Sequence, residues 1–153
     1  MNLQTQPNSW SCLPTAFAIA LDVPISGIFE CCGHDGSDIV FPKRTDPHGR
    51  RSFHIAEMVE FCNVLSKAVI QVEQAPVSSN KYGDEYRLPI YGDGDGRMLR
   101  WLTFNTGVLV GIVRGNQHAV AWNADGFCYD PNGTTYPLDR FNISAFFAIK
   151  STR

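Results

Sequence analysis

Apolar residues in the first half of the chain recur with the spacing of helices. The first run places them three or four positions apart, at Leu13, Ala16, Phe17, Ala20 and Leu21. Pro24 can begin a second helix that stops at Gly33, and a third helix fits residues 52–65. Residues 34–51 are rich in Gly, Pro, Asp and Arg without periodicity, which predicts a loop.

The pattern changes to strand-like runs in the second half. Apolar runs of strand length occupy residues 68–72, 108–113, 118–122, 126–130 and 146–150. A long Gly- and Asp-rich loop over 80–96 precedes a short helix around 97–104. Turn residues separate the later runs and predict antiparallel pairing. Helices followed by an antiparallel sheet indicate an α+β fold, and the length suits one domain over residues 1–153.

The composition narrows the classes of partner. The 153 residues are 44% hydrophobic and carry a formal net charge of −2, with no stripe of Lys and Arg that would bind nucleic acid. The opening residues lack the basic and apolar regions of a signal peptide, so we expect none, and no apolar run is long enough to span a bilayer. The five cysteines include no CxxC pair, which is typical of reduced thiols. We therefore expect a cytoplasmic protein (in the host cytoplasm if the chain is phage-encoded) without nucleic-acid or membrane partners.

Cys12 is the first candidate for chemistry, because it lies where the first helix should begin. Ser11 is a good N-cap, and Pro14 is tolerated only in a first helical turn, so the two fix the start at about Ser11–Cys12. The positive end of the helix dipole favours a thiolate there. Cys12 also lies one position before Leu13, outside the set of apolar positions that should face the core, so its side chain need not be buried. The alternative is that Cys12 is a small buried core residue.

Gln6 is the candidate for stabilising negative charge on a reacting carbonyl oxygen. It precedes Cys12 by six residues across a turn, so its side-chain amide can donate toward the carbonyl that Cys12 attacks. The backbone N–H of Cys12, at the start of a helix, would be the second donor. The alternative is an ordinary turn glutamine, since Gln4 stands nearby.

His118 and Asp130 are the candidates for a base and for the group that orients it. Of the four histidines, only His118 heads an apolar strand. Asp130 ends the next strand, and antiparallel pairing should place the two side by side. The carboxylate can then hold the imidazole while the other ring nitrogen faces the thiol. A structural strand histidine and a turn aspartate are the alternatives.

These residues together resemble a known enzyme superfamily. Gln6 six residues before Cys12 at a helix start, then "HAVAW" at 118–122 and a downstream Asp, are similar to the papain-like cysteine peptidases. The short chain, early Cys and "DP" after the second strand are most similar to the bacterial leader-processing peptidases of peptide exporters. The resemblance implies a papain-like fold, with the nucleophile at the start of the first long helix and N-terminal helices packed on a C-terminal antiparallel sheet.

The resemblance also implies roles for individual residues. Cys12 would be the nucleophile, His118 the base, Asp130 the orienting group and Gln6 the oxyanion donor. Papain-type enzymes use Asn as the third member, which leaves Asn132 as the alternative to Asp130. The leader-processing family usually has Gly after the catalytic Cys, whereas Leu13 and Pro14 follow here, so the type of substrate stays open.

The expected function is a cysteine-dependent hydrolase that cleaves an amide, peptide or isopeptide bond in a protein or peptide through a thioester. We expect no cofactor and no metal, because neither "DGDG" at 93–96 nor "CCGHD" at 31–35 with His48 and His54 has the ligand spacing of a metal site. Trp10 and Asn116 are candidates for binding substrate, and the loops over 34–51 and 76–96 should supply pocket walls. Deamidation or acyl transfer by the same triad, or a catalytically silent papain-fold binding module, are the alternatives. A peptidoglycan amidase is disfavoured without a secretion signal.

Overall fold

The computed structural model describes residues 1–39, 51–73, 77–79, 81–87 and 94–152. Its helices are α1 Cys12–Leu21, α2 Ile25–Cys32, α3 Ile55–Val64 and α4 Gly94–Phe104, with a 3₁₀ turn at Leu138–Arg140. Its strands are β1 Lys67–Glu73, β2 Val77–Ser79, β3 Glu85–Arg87, β4 Gly107–Val113, β5 Asn116–Trp122, β6 Phe127–Asp130, β7 Thr134–Pro137 and β8 Asn142–Ser151. None of these helices is both long enough and apolar enough to cross a membrane.

The helices begin and end close to the predicted positions. α2 follows Pro24 and ends at Gly33, whose φ of 76° is the left-handed conformation that glycine adopts readily. α3 starts three residues later than predicted. His54 is its N-cap: the ring accepts from the backbone N–H of Ala56, and the Glu57 carboxylate accepts from the N–H of His54. Sequence patterns that look for Ser, Thr, Asp or Asn at an N-cap miss this start.

Six strands form one antiparallel sheet in the order β1-β8-β4-β5-β6-β7. β7 was not predicted, because the "DPNGT" segment before it suggested only a turn; it pairs with β6 through Asp130↔Thr134 and Cys128↔Tyr136. The small hairpin of β2 and β3 also falls in a region predicted as loop. Residues 76, 80 and 88–93 of that loop, and residues 40–50 of the loop predicted over 34–51, lie outside the described residues.

Helices cover both faces of the sheet, so the protein has two apolar cores. On one face, α1, α2 and α3 pack against it through buried side chains that include Phe17, Ile28, Met58, Val108 and Phe147. On the other face α4 contributes Met98 and Leu102, which meet Leu109, Val120, Trp122 and Phe146. The α+β class is therefore confirmed. The papain-like arrangement within that class stays a prediction.

Gly107 offers a test of how closely β4 and β8 approach. A Cβ added there would overlap the carbonyl oxygen of Phe147, whereas one added at Gly27 in α2 would meet nothing within 4 Å. We expect Gly107→Ala to lower the free energy of unfolding by about 3 kcal/mol, measured by urea denaturation. Gly27→Ala is the matched control and should raise that free energy by up to about 1 kcal/mol. An unchanged midpoint for Gly107→Ala would contradict the close approach.

Candidate active site

Cys12 is the first residue of α1, as predicted, and its side chain is partly exposed. The first backbone hydrogen bond of the helix runs from the N–H of Thr15 to the carbonyl of Ser11, at 3.1 Å. The expected capping by the Ser11 hydroxyl is wrong, since that hydroxyl instead donates to the carbonyl of Asn8 at 3.1 Å. Ser11 is thus the N-cap by position, and its side chain secures the turn before the helix.

His118 and Asp130 are hydrogen-bonded side chain to side chain. Nε2 of His118 lies 2.8 Å from Oδ1 of Asp130, and Asp130 is only 3% exposed. The prediction that the two residues lie directly opposite one another is wrong. The β5–β6 register pairs Ala121 with Tyr129, so continuing it places Asp130 opposite Val120, and His118 reaches the carboxylate diagonally.

Two further groups hold the Asp130 carboxylate, and one of them was missed in the sequence. The hydroxyl of Tyr136 donates to Oδ2 at 2.6 Å, and the backbone N–H of Asn132 donates to Oδ1 at 2.9 Å. Tyr136 lies in β7, two residues beyond Thr134, which is paired with Asp130. The signal that could have identified it is a tyrosine on the strand that returns from the "DPNG" turn, within diagonal reach of the aspartate.

The ionisation of the pair follows from these contacts. Burial raises the pKa of the Asp130 carboxyl, but hydrogen bonds from His118, Tyr136 and the Asn132 N–H outweigh it, and the net pKa is lowered. The hydrogen bond to Asp130 and the side-chain interaction with Cys12 raise the pKa of His118 to about 9, against the opposing effect of burial. His118 is therefore an imidazolium at neutral pH, beside an ionised carboxylate.

Cys12 and His118 line the same cleft, which has a volume of about 280 Å³. Because Nε2 of His118 is bonded to Asp130, Nδ1 is the ring nitrogen left for the thiol. The side chains of Cys12 and His118 also interact directly. The rest of the wall is mostly apolar and includes Phe53, Ile55, Val110 and Phe147, with His54 at the start of α3. This composition suits an uncharged substrate group.

Gln6 is tied to the turn that follows Asp130. Its backbone N–H donates to the carbonyl of Pro131 at 2.7 Å, and the preceding Thr5 forms a bridge with Asn132. Its side-chain amide donates to the carbonyl of Asn8 at 2.8 Å, the same oxygen that accepts from the Ser11 hydroxyl. The amide thus lies beside the start of α1, with one of its two N–H groups left for another acceptor.

Trp10, Asn116 and Asn132, like Gln6, are not among the residues that line the Cys12 cleft. The ring of Trp10, 38% exposed, lies 5.0 Å from the guanidinium of Arg51, and the Trp10 carbonyl accepts from the Ser52 hydroxyl at 2.8 Å. Asn116 lines a second pocket next to Asp130. The side chain of Asn132 accepts from the N–H of Thr134 at 3.0 Å and holds the turn, so the partner of His118 is Asp130 rather than Asn132.

No group of three or more potential ligands is arranged to hold a metal ion within the described ranges. His34, from the "CCGHD" segment, instead contacts the Glu57 carboxylate at 2.7 Å and stacks on the ring of Phe53 with centroids 4.3 Å apart. His48 and residue 93 of the acidic "DGDG" segment lie outside the described residues.

The sequence matches no protein-family model, and no curated protein is significantly similar to it. Function is therefore inferred from the residues of the site themselves.

Proposed function

We propose that this protein is a cysteine-dependent hydrolase of the papain-like type, which cleaves an amide, peptide or isopeptide bond in a protein or peptide. One observation carries the proposal. The imidazole of His118 is held by the buried carboxylate of Asp130 and lines the same cleft as Cys12, a thiol at the start of a helix. A nucleophile, a base and an orienting group in this arrangement are what acyl transfer to a thiol requires.

The first half of the reaction follows from these positions. The Cys12 thiolate attacks the carbonyl carbon of the scissile amide, a C–S bond forms, and the carbonyl oxygen becomes an oxyanion. The oxyanion then re-forms the carbonyl as the C–N bond breaks. His118, as an imidazolium, gives its proton to the departing nitrogen. The products of this half are a free amine and a thioester on Cys12.

The second half regenerates the enzyme. Neutral His118 accepts a proton from water as the water oxygen attacks the thioester carbonyl. The C–O bond forms, the C–S bond breaks, and a carboxylic acid leaves while the Cys12 thiolate and the His118 imidazolium are restored. An amine acceptor in place of water would give acyl transfer, and a primary side-chain amide as substrate would give deamidation.

Stabilisation of the oxyanion is assigned to the backbone N–H of Cys12 and to the Gln6 amide. Support for Gln6 comes from its hydrogen bond to the Asn8 carbonyl, which places the amide beside the helix start. Two preorganised donors at the developing negative charge are worth several kcal/mol of barrier, about 3 kcal/mol for each donor. A cytoplasmic location and the absence of a nucleic-acid partner stay predictions from the sequence.

Alkylation of the native protein with iodoacetamide tests the proposal. We expect Cys12 to react first at pH 7, because burial raises the pKa of Cys32 and of Cys62 to about 11 and that of Cys128 to about 12. Mapping by mass spectrometry identifies the modified residue. A Cys31→Ser background removes the exposed competing thiol.

The control is His118→Ala in the same background. Loss of the imidazolium should slow alkylation of Cys12 at pH 7 by about tenfold, because fewer thiolates remain. A Cys12 thiol that reacts no faster than a free cysteine, or whose rate is unchanged in His118→Ala, would favour the catalytically silent binding module. Mass spectrometry of the product then separates hydrolysis, deamidation and acyl transfer.

A further inference from the structure

A second pocket adjoins the Cys12 cleft and shares His118 with it. Its volume is about 480 Å³, and its walls include Arg114, Asn116, Gln117, Tyr136 and Arg140, together with His118 and Asp130. Gln117 and His118 also line the cleft around Cys12, but Cys12 itself does not line this pocket. His118 borders both cavities, because its Nε2 is bonded to Asp130 in the wall of this pocket and it also lines the Cys12 cleft.

The pocket is positively charged. Arg114 is exposed in the turn between β4 and β5, and Arg140 is exposed in the 3₁₀ turn. Within the described part of the chain, neither guanidinium forms an ion pair. The carboxylate in the wall, Asp130, accepts hydrogen bonds from His118, Tyr136 and the Asn132 N–H, and the positive charge of His118 offsets its negative charge.

The position of the pocket beside His118 corresponds to the leaving-amine side of the scissile bond. His118 must reach the departing nitrogen in order to protonate it, so the chain attached to that nitrogen continues past the imidazole. The acyl group stays on Cys12 in the apolar cleft. The pocket beyond His118 is then in place to receive the substituent of the leaving amine.

We propose that this pocket binds a carboxylate carried by the leaving amine, and that Arg114 and Arg140 select it. The carboxylate is either the side chain of an acidic residue directly after the scissile bond or the terminal carboxylate of a single leaving residue. A guanidinium presents paired N–H donors that match a carboxylate, and the side-chain amides of Asn116 and Gln117 in the pocket wall can add neutral donors. This inference rests on the proposed function, because it assigns a leaving side to the same triad.

Chloroacetyl amides test the pocket without requiring turnover, since Cys12 displaces chloride and the amide nitrogen stands for the leaving amine. Two pairs of probes each differ only in charge: N-chloroacetyl-aspartate amide and N-chloroacetyl-asparagine amide test a side-chain carboxylate, and N-chloroacetyl-glycine and N-chloroacetyl-glycine amide test a terminal carboxylate. In the Cys31→Ser background we expect at least one anionic probe to alkylate Cys12 about fivefold faster than its neutral partner. Whichever anionic probe is preferred identifies the source of the carboxylate.

The double variant Arg114→Gln/Arg140→Gln should abolish that preference and leave the rate with iodoacetamide unchanged. Arg100→Gln, an exposed arginine of α4 that lines a different pocket, is the matched control and should keep the preference. Added salt should reduce the preference, because both guanidinium groups are exposed.

Two failures are distinguishable. Fast labelling of Cys12 by iodoacetamide with no preference for an anionic probe, or a preference that survives in the double variant, overturns the carboxylate pocket alone. Slow labelling by iodoacetamide overturns the proposed function and this inference together.

Discussion

Cys12→Ala and His118→Ala should each lower kcat/KM for the best substrate of a peptide library by about 10⁴-fold. The first change removes the nucleophile, and the second removes both the proton donor to the leaving amine and the charge that stabilises the thiolate. Because the two residues act as a unit, the double variant should be scarcely slower than either single variant. Steady-state kinetics on the three proteins measures this.

The matched control for Cys12→Ala is Cys31→Ser, which replaces an exposed thiol on α2 and should leave kcat/KM unchanged. Circular dichroism shows whether each variant keeps the native fold. A well-folded Cys12→Ala protein that retains more than about a tenth of the activity would contradict the role of Cys12, because covalent catalysis cannot survive loss of the nucleophile.

The second large effect concerns Asp130 and pH. Since the hydrogen bond to Asp130 is the main cause that raises the pKa of His118 to about 9, kcat should fall as the pH rises through about 9, where the imidazolium loses the proton that the leaving amine needs. In Asp130→Asn the carboxylate charge is gone. The alkaline limb should then move down toward the ordinary imidazole pKa of about 6.5, and kcat at pH 7 should drop by about 10²- to 10⁴-fold.

Tyr136→Phe separates charge from positioning in that experiment. It removes the 2.6 Å hydrogen bond from the tyrosine hydroxyl to Oδ2 of Asp130 but leaves the carboxylate in place. We expect kcat to fall by about tenfold while the alkaline limb stays near pH 9. An Asp130→Asn profile with the wild-type alkaline limb would show that Asp130 does not control the ionisation of His118.

The same pKa shifts make the stability of the fold depend on pH. A histidine whose pKa is raised on folding contributes stability that is full below about pH 6.5 and is lost as the pH rises through about 9. Asp130, whose pKa is lowered, contributes stability above its ordinary value near 3.9 that is lost in more acidic solution. Urea midpoints should therefore be highest between these limits, and Asp130→Asn should flatten the profile at both ends.

The sequence predicted those parts of the fold and of the site that depend on local chemistry. The start of α1 follows from Ser11 and Pro14, and the end of α2 from Gly33, because each acts within one turn of the backbone. The pairing of β5 with β6 followed from turn residues between two apolar runs. Cys12, His118 and Asp130 could be proposed on these grounds alone.

The misses depend on contacts between distant or unusual groups. β7 has only four residues, of which Tyr136 is half-buried, so its pattern did not stand out from the turn before it. The diagonal relation of His118 to Asp130 is set by the strand register, which the β5–β6 turn fixes and residue types alone do not. The N-cap of α3 is a histidine, which is not one of the residue types that usually cap helices.

The bridge between Thr5 and Asn132 joins residues just before Cys12 to residues just after Asp130. The N-terminal segment meets its partners only after synthesis has passed β6 and the turn to β7. Until then Cys12 has neither His118 nor Asp130 beside it. The order of synthesis thus delays assembly of the proposed site until most of the chain has been made.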